Sequence, residues 1–519
     1  MILRVVEVPG GIVLINLRRK IREMQRQKMN RKEGIMNWIT ITFVALLLII
    51  PGAAFAQAPD TSWTRTFGGT LAEGAHDIDR TQDGNYIVVG EVESNYANSD
   101  VYLLKVNSDG DTLWTTRFGN TNTNEIGRSV KATSDGGYII CGYGGVSQEN
   151  EVILIKTDSL GNYEWGTSYG PTPDNRGHAI IETSDGGFIV AGQAWIVRGP
   201  FGSYDMYVIK TNAFGGLEWE RFIGGGSGDY ALGVCEAENG DFVATGRTQT
   251  FGWDAFLVRL SPFGDSIWAV GLGQGIQTDG ADVLALDDGS GFMMTGIQYD
   301  PSDEGSNAFL ARVDNDADIV WWRDYGGEDE EYGTSLAAMP DGGFIIGGMT
   351  ARWDTGWNVY VIKTDFLGNE EWSDVFGAGG DDRGHGVTVG LDGSIAVAGW
   401  TSSYGGGWLD VYVIKFEGSL VGIDDDPNSR LPEALTLEQN YPNPFNSATE
   451  IKYFIPEGGH VTLEIFDLLG RKIEALFNGS LESGIHTSAW NADKVPSGVY
   501  LYRLSSGETT RTRRMTLLK

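Results

Sequence analysis

The sequence predicts an all-β chain: a seven-bladed β-propeller followed by a small immunoglobulin-like β-sandwich. Three observations carry that expectation. Glycine is abundant, at 74 of 519 residues, and aromatic residues make up 11%, the composition of a chain rich in turns and strands. A tryptophan returns at a period near 50 residues through the middle of the chain. A surplus strand before the first repeat is placed to complete the last one.

The N-terminus reads as an address rather than as structure. Lys28, Arg31 and Lys32 precede an apolar run from Trp38 to Ile50, Pro51-Gly52 breaks it, and Ala54-Phe55-Ala56 fits a small-x-small cleavage site. That run is too short to span a bilayer comfortably, so residues 1–56 are expected to be a secretory signal peptide with an N-terminal extension. Met29 and Met36 are alternative starts.

Residues 57–417 hold the repeats. Trp63, Trp114, Trp165, Trp219, Trp268, Trp322 and Trp372 are spaced by 51, 51, 54, 49, 54 and 50 residues. Between them three signals recur. First comes an Asp-Gly or Asn-Gly turn leading into an apolar strand that ends in glycine, as in Asp135-Gly136 to Gly142. Such dipeptides supply the positive φ of tight hairpins. Next is an alternating strand with an acid or amide at its start and a base at its end, as in Asp205 and Lys210. A five-residue separation puts those ends on opposite strand faces, so pairing is expected across strands or between blades. A second turn then leads to the next tryptophan strand. Four short antiparallel strands every 50 residues or so define a propeller blade. The last unit lacks a tryptophan strand, and Trp63–Phe67 stands before the first unit; pairing the two closes the ring and removes exposed edges. The repeats resemble the outer-surface propeller repeats of bacteria.

The short turns share one face. The other carries the second-to-third strand loops and the crossings between blades, which differ in every unit, and function concentrates on variable loops held by a rigid scaffold. That face is rich in aromatics: Tyr96, Tyr143, Trp195, Tyr204, Trp253, Tyr299, Trp353, Trp357, Tyr404 and Trp408. Such rings suit stacking on sugars or burying partner side chains, against the plainer role of sealing clefts between blades. An acid precedes each innermost strand but one: Glu73, Glu125, Asp229, Asp279, Glu331 and Asp382, with Asn175 in the third unit. Three residues further on lie His76, Arg128, His178, Leu232, Asp282, Thr334 and His385. Both sets are expected to ring the channel mouth. A residue type repeated in every blade points first to a bond made in every blade. His76, His178 and His385 have no metal-motif spacing, and neither a metal nor a cofactor is expected.

Charge narrows the partners. The formal net charge is −32, and removal of residues 1–56, with nine basic and three acidic side chains, would leave about −38. Residues 436–519 carry nine of each sign, so the excess sits on the repeats. Such a surface repels phosphate backbones, which argues against nucleic acid and leaves cations, sugars and basic proteins. Cys141 and Cys235 fall in non-neighbouring blades and are expected to be buried and unpaired.

After a linker, 418–435, the residues Leu437-Glu438-Gln439-Asn440-Tyr441-Pro442-Asn443-Pro444-Phe445-Asn446 open a new unit. Strands are expected over Thr449–Phe454, His460–Phe466 and Val499–Leu504, punctuated by Trp490 and the Asp467-to-Gly470 turn, with the stretch Pro496-Ser497-Gly498-Val499-Tyr500 leading into the last. These motifs, with the Leu468–Ile473 turn and the Arg513–Lys519 end, closely resemble the type A C-terminal sorting domain of the type IX secretion system over residues 436–519. The resemblance implies passage through the inner and then the outer membrane of a Gram-negative bacterium. It makes the secretion machinery a partner, and Asn440, Tyr441, Pro442, Asn443, Pro444, Phe445, Gly498 and Tyr500 the sorting motif. The expected role is a monomeric extracellular or surface-bound module that binds glycan or protein. The alternative is a polysaccharide hydrolase or lyase using the channel-mouth carboxylates, although no unit carries a unique acid–base–nucleophile set.

Overall fold

The computed structural model describes residues 59–418, 436–437, 445 and 447–519, apart from short stretches at 94–97, 121, 147–148, 199–200, 251, 274–275, 288, 301–304, 328, 353–355, 391, 456–457, 468–470, 482–483, 493, 508 and 518. The expected signal peptide, nearly all of the linker, Tyr96, Trp353 and Asn440 to Pro444 lie outside the described residues.

Every described element is a strand, as expected of an all-β chain. Residues 73–118 form a four-stranded antiparallel meander, and so do 124–169, 175–223 and 229–271. The fifth and sixth meanders, 278–325 and 330–376, are joined into one eight-stranded sheet by a single parallel bridge, Ser306 to Glu330. The seventh consists of Asp382–Val389, Ile395–Thr401 and Asp410–Phe416, completed by Thr61–Phe67. That last pairing is antiparallel, with Trp63 opposite Lys415 and Phe67 opposite Val411.

Packing closes the circle. Each neighbouring pair of sheets shares one hydrophobic cluster, such as Ile139, Leu154, Ile180 and Val190 between the second and third. Trp63, Ala396 and Val413 of the seventh sheet likewise pack with Ala75, Ile78 and Val88 of the first. The Trp63 indole also donates to Ser108 O at 2.9 Å, reaching over Gly110 of the first sheet. Burial of this apolar surface on both faces of every sheet is the main stabilising term.

The repeated signals acquire definite jobs. The glycine of each Asp-Gly or Asn-Gly turn has positive φ, from Gly84 at 77° to Gly393 at 75°. The turn acid then receives the base from the third strand. Lys210 Nζ lies 2.9 Å from Asp185 and 3.2 Å from Glu218 and donates to Thr211 O. Lys156 with Asp135 and Glu164, and Lys363 with Asp341 and Glu371, repeat it. In these three blades the expected cross-strand pairing is a clamp joining the turn to the third and outer strands, whereas Arg312 meets Ser290 and Lys415 reaches over to Ser108 O of the first sheet. The outer-strand tryptophan docks on the next sheet: a Cβ at Gly215 would sit 2.7 Å from the Trp165 ring. In the fifth sheet this residue is Trp321, opposite Arg312 and against Gly368, rather than Trp322. Trp322 turns to the other side of the strand and stacks on Phe309 at 4.1 Å. Cys141 and Cys235 are free and buried.

The C-terminal unit has a three-stranded sheet, Thr436–Leu437, Ala448–Ile455 and Gly484–Asn491, and a four-stranded one of Lys472–Leu481, Gly459–Asp467, Gly498–Ser506 and Thr509–Leu517. The two enclose a shared core of Ile451, Leu463, Trp490, Tyr502 and Met515. Phe445 is buried against Trp490, and the Tyr500 hydroxyl donates to Pro496 O at 2.7 Å. The sorting-motif side chains that are described thus act as core and turn locks.

Candidate functional site

The inner strands set the channel. Each carries a β-bulge, and the residue left unpaired at it is His76, Arg128, His178, Leu232, Ala281, Thr334 or His385. Bulges re-aim a side chain away from the ladder. Here all seven residues line one central cavity of about 130 Å³. The register corrects one expected position. In the fifth sheet Ala281 occupies the bulge and Asp282 sits one residue beyond it, aligned with Asp77 of the first sheet. By the same shift Thr278, not Asp279, takes the place of the ring acid; its hydroxyl accepts Ala255 N–H at 2.8 Å.

The ring acids are hydrogen-bonded within the crossings. Asp229 accepts Gly225 N–H at 2.9 Å and the Thr250 hydroxyl at 2.9 Å. Asp382 accepts Ala378 N–H at 2.9 Å and the hydroxyls of Thr401 and Ser403. Glu331 accepts Gly327 N–H at 3.1 Å and the Thr350 hydroxyl at 3.2 Å, and Glu125 accepts from Thr123. These acids tie each crossing to the blade it enters, because a hydroxyl on the second strand and a loop amide converge on them. Glu73 keeps the loop amide, that of Gly69, and departs from the pattern in the hydroxyl. Val92 stands opposite it where a threonine stands opposite Asp229, Glu331 and Asp382, and its Oε2 has no hydrogen-bond partner. Burial, with Asp410 nearby, raises the Glu73 carboxyl above its usual range.

The three histidines are brought together with Arg128 on four successive sheets. The rings of His385 and His76 are 5.6 Å apart, and Arg128 Nη1 lies 3.3 Å from His76 Nδ1. His178 Nε2 contacts Gln193 Oε1 at 3.3 Å. Burial and the Arg128 charge lower all three, His178 to about 3, so the arc consists of neutral imidazoles beside one guanidinium. Asp77 and Lys131 lie 3.6 Å apart in the same channel, and burial pushes Asp282 up to about 6. Among the described residues no group of three or more His, Cys, Asp or Glu is placed to hold a metal ion.

The loop face joins most of the expected aromatics into stacks. Trp195 meets Tyr204 edge-on at 5.0 Å, and Tyr204 packs on Tyr230 and bonds Asp174. Trp357 lies 4.9 Å from Tyr332 and 5.1 Å from Arg383. Trp253 is a non-glycine residue at φ 70°, 42% exposed, with Arg247 over its ring at 4.4 Å. Trp408 is 89% exposed. One ring was missed in the sequence: Trp400 follows the strand-ending Gly399 and stacks with Arg383 at 4.9 Å. The signal was available, since the residue after that glycine changes in every unit: Glu91, Tyr143, Gln193, Arg247, Ile297, Met349 and Trp400.

Fold and site together define a β-propeller with an aromatic-bearing loop face, followed by a C-terminal β-sandwich. Residues 439–517 match the family of secretion system C-terminal sorting domains. That match implies secretion through the type IX system and interaction with its machinery, and hence a secreted or cell-surface protein. No curated protein matches the chain. Among solved structures it is similar to a protein of unknown function from Dyadobacter fermentans DSM 18053, at 11% identity and a TM-score of 0.41, covering 68% of this chain and 99% of that one. Sqt1 from Chaetomium thermophilum matches at 11% identity and a TM-score of 0.38, over 70% and 100% of the two chains. PorZ, a surface component of the type IX secretion system of Porphyromonas gingivalis, matches at 11% and 0.25, over 86% and 81%. Likenesses at these scores carry no argument about what the propeller does.

Proposed function

We propose that the propeller is delivered to the outside of the cell by its sorting domain and acts there as a binding module for glycan or surface protein, through the aromatic loop face. The observation that supports this reading most is the pair of outward indoles, Trp408 at 89% exposure and Trp253 at 42%. An isolated exposed ring needs no explanation, but Trp253 also holds a left-handed backbone conformation that costs a non-glycine residue roughly 1–2 kcal/mol. Strain kept at an exposed aromatic is a mark of use. The ring carboxylates, by contrast, are hydrogen-bonded into the crossings, and nothing favours them as an acid–base pair. The test is capture of ligand by the full secreted chain from glycan arrays and from outer-surface protein extracts. Trp253→Ala and Trp408→Ala are expected to lose a captured ligand at unchanged melting temperature. Full retention in both variants would contradict the reading.

A further inference from the structure

The loop face builds the same small constellation repeatedly from its own residues. In the third sheet the Arg176 guanidinium lies over the Tyr143 ring at 5.2 Å and pairs with Asp174 at 3.0 Å. In the fourth, Arg247 lies over Trp253 at 4.4 Å and 3.5 Å from Asp279. In the seventh, Arg383 lies between Trp357 and Trp400. A guanidinium on an aromatic face, with a carboxylate beside it in two of the three cases, is thus the arrangement this surface selects.

Beside the first sheet, that sheet's own acids share a cavity with Trp400, a ring of the seventh sheet that also meets Arg383, and no arginine stands at the matching inner-strand position. Arg176 and Arg383 occupy the second position of their inner strands, counted from Asn175 and Asp382; in the first sheet that residue is Gly74. A Cβ on Gly74 would lie 3.6 Å from the Trp400 ring, in ordinary contact, so a side chain there would cover it. Without one, a cavity of about 450 Å³ opens, lined by Glu73, Glu91, Glu93, Asn98, Asn124 and Trp400 among others. None of its described lining residues is basic. Two further observations point to a cation. Glu73 is 3% exposed and its Oε2 lacks the hydroxyl partner its counterparts have. Burial works against the Glu91 charge, but hydrogen bonds from His76 and Ser99 outweigh it and hold that carboxyl below its usual range, so it is ionised.

We propose that this cavity receives the guanidinium of an arginine side chain from a polypeptide partner, stacked on Trp400 and countered by Glu91 and Glu93. The proposal rests on the reading of the loop face as a binding surface and specifies the chemistry of one pocket in it. A flat, delocalised cation stacks on indole and forks onto carboxylates, which a lysine ammonium does not reproduce. The acidic excess of the repeats favours approach of a basic segment.

The experiment is calorimetric titration of the full chain with acetyl-Gly-Arg-Gly-amide and with its citrulline isostere, which keeps shape and loses charge. Saturable binding of the arginine peptide is expected, weaker by about tenfold or more for citrulline. Trp400→Leu is expected to weaken it similarly. Gly74→Arg fills the cavity with a tethered guanidinium; it is expected to abolish binding while the melting temperature holds. Equal affinity for citrulline, no loss in Gly74→Arg, or no saturation up to about 10 mM peptide would overturn the proposal. None of these outcomes touches ligand capture through Trp253 and Trp408, so the broader reading fails or stands on its own test.

Discussion

The two faces of the propeller are made from the same sheets and obey opposite rules. On the short-turn face Lys156, Lys210 and Lys363 make the same three bonds, to a turn acid, an outer-strand acid and their neighbour's carbonyl. On the loop face Arg176, Arg247 and Arg383 reach different rings from different strands, and Gly74 reaches none. A bond repeated in blade after blade holds the ring together. A departure from the repeat costs stability or leaves space, and is where a ligand gains purchase.

The sharpest way to break this division is at the ring's seam. Trp63 is 8% exposed and packs between the seventh and first sheets. Trp63→Ala is expected to cost about 3–5 kcal/mol in denaturant unfolding. A loss below about 1 kcal/mol would mean that the seam is not part of the core. Next comes the clamp. Lys210 is 2% exposed, whereas Asp185 and Glu218 are about half exposed and regain water when the lysine is removed. Lys210→Met is therefore expected to cost about 2–3 kcal/mol, less than a fully buried pair.

Acid sharpens the contrast at the channel. Imidazoles depressed in the folded state resist protons that the unfolded chain takes up below pH about 6.5. Stability is thus fully present above that pH and falls toward pH 3, where His178 titrates when folded. Asp282, raised to about 6, works the other way between roughly pH 4 and 6 and blunts the slope. With channel hydration allowed for, the net loss between pH 7 and 4 is expected to be roughly 1–3 kcal/mol, and smaller in His178→Gln. A flat profile in the parent chain would contradict the neutral arc. The smallest effect belongs to the loop face: Trp408→Ala is expected to shift unfolding by less than about 0.5 kcal/mol, since the indole is 89% exposed.

Much of this was legible in the sequence. The turn dipeptides, the strand-ending glycines and the tryptophan period located the meanders, because each encodes a local backbone demand. The closing strand was legible by counting. Register was harder. In Trp321-Trp322 and Thr278-Asp279 two neighbours compete for one repeat position, and spacing alone chose Trp322 and Asp279. Pairing with Arg312 and with Gln298 decides for the others. Repetition marked the ring acids as bond-makers but not their partners, since those depend on Thr248, Thr350 and Thr401 across the ladder. The pocket over the first sheet was invisible, because it arises where Gly74 has no side chain and Trp400, more than 300 residues away in the chain, forms its wall.

Both faces exist as described only if the seven meanders form a closed circle. Hydrogen exchange of the backbone amides over residues 61–67 tests this most directly. Closure of the circle predicts protection of 61–67 comparable to that of its partner strand Asp410–Phe416, with both lost together in Trp63→Ala. Exchange of 61–67 at the rate of an unstructured peptide, with Asp410–Phe416 still protected, would contradict it.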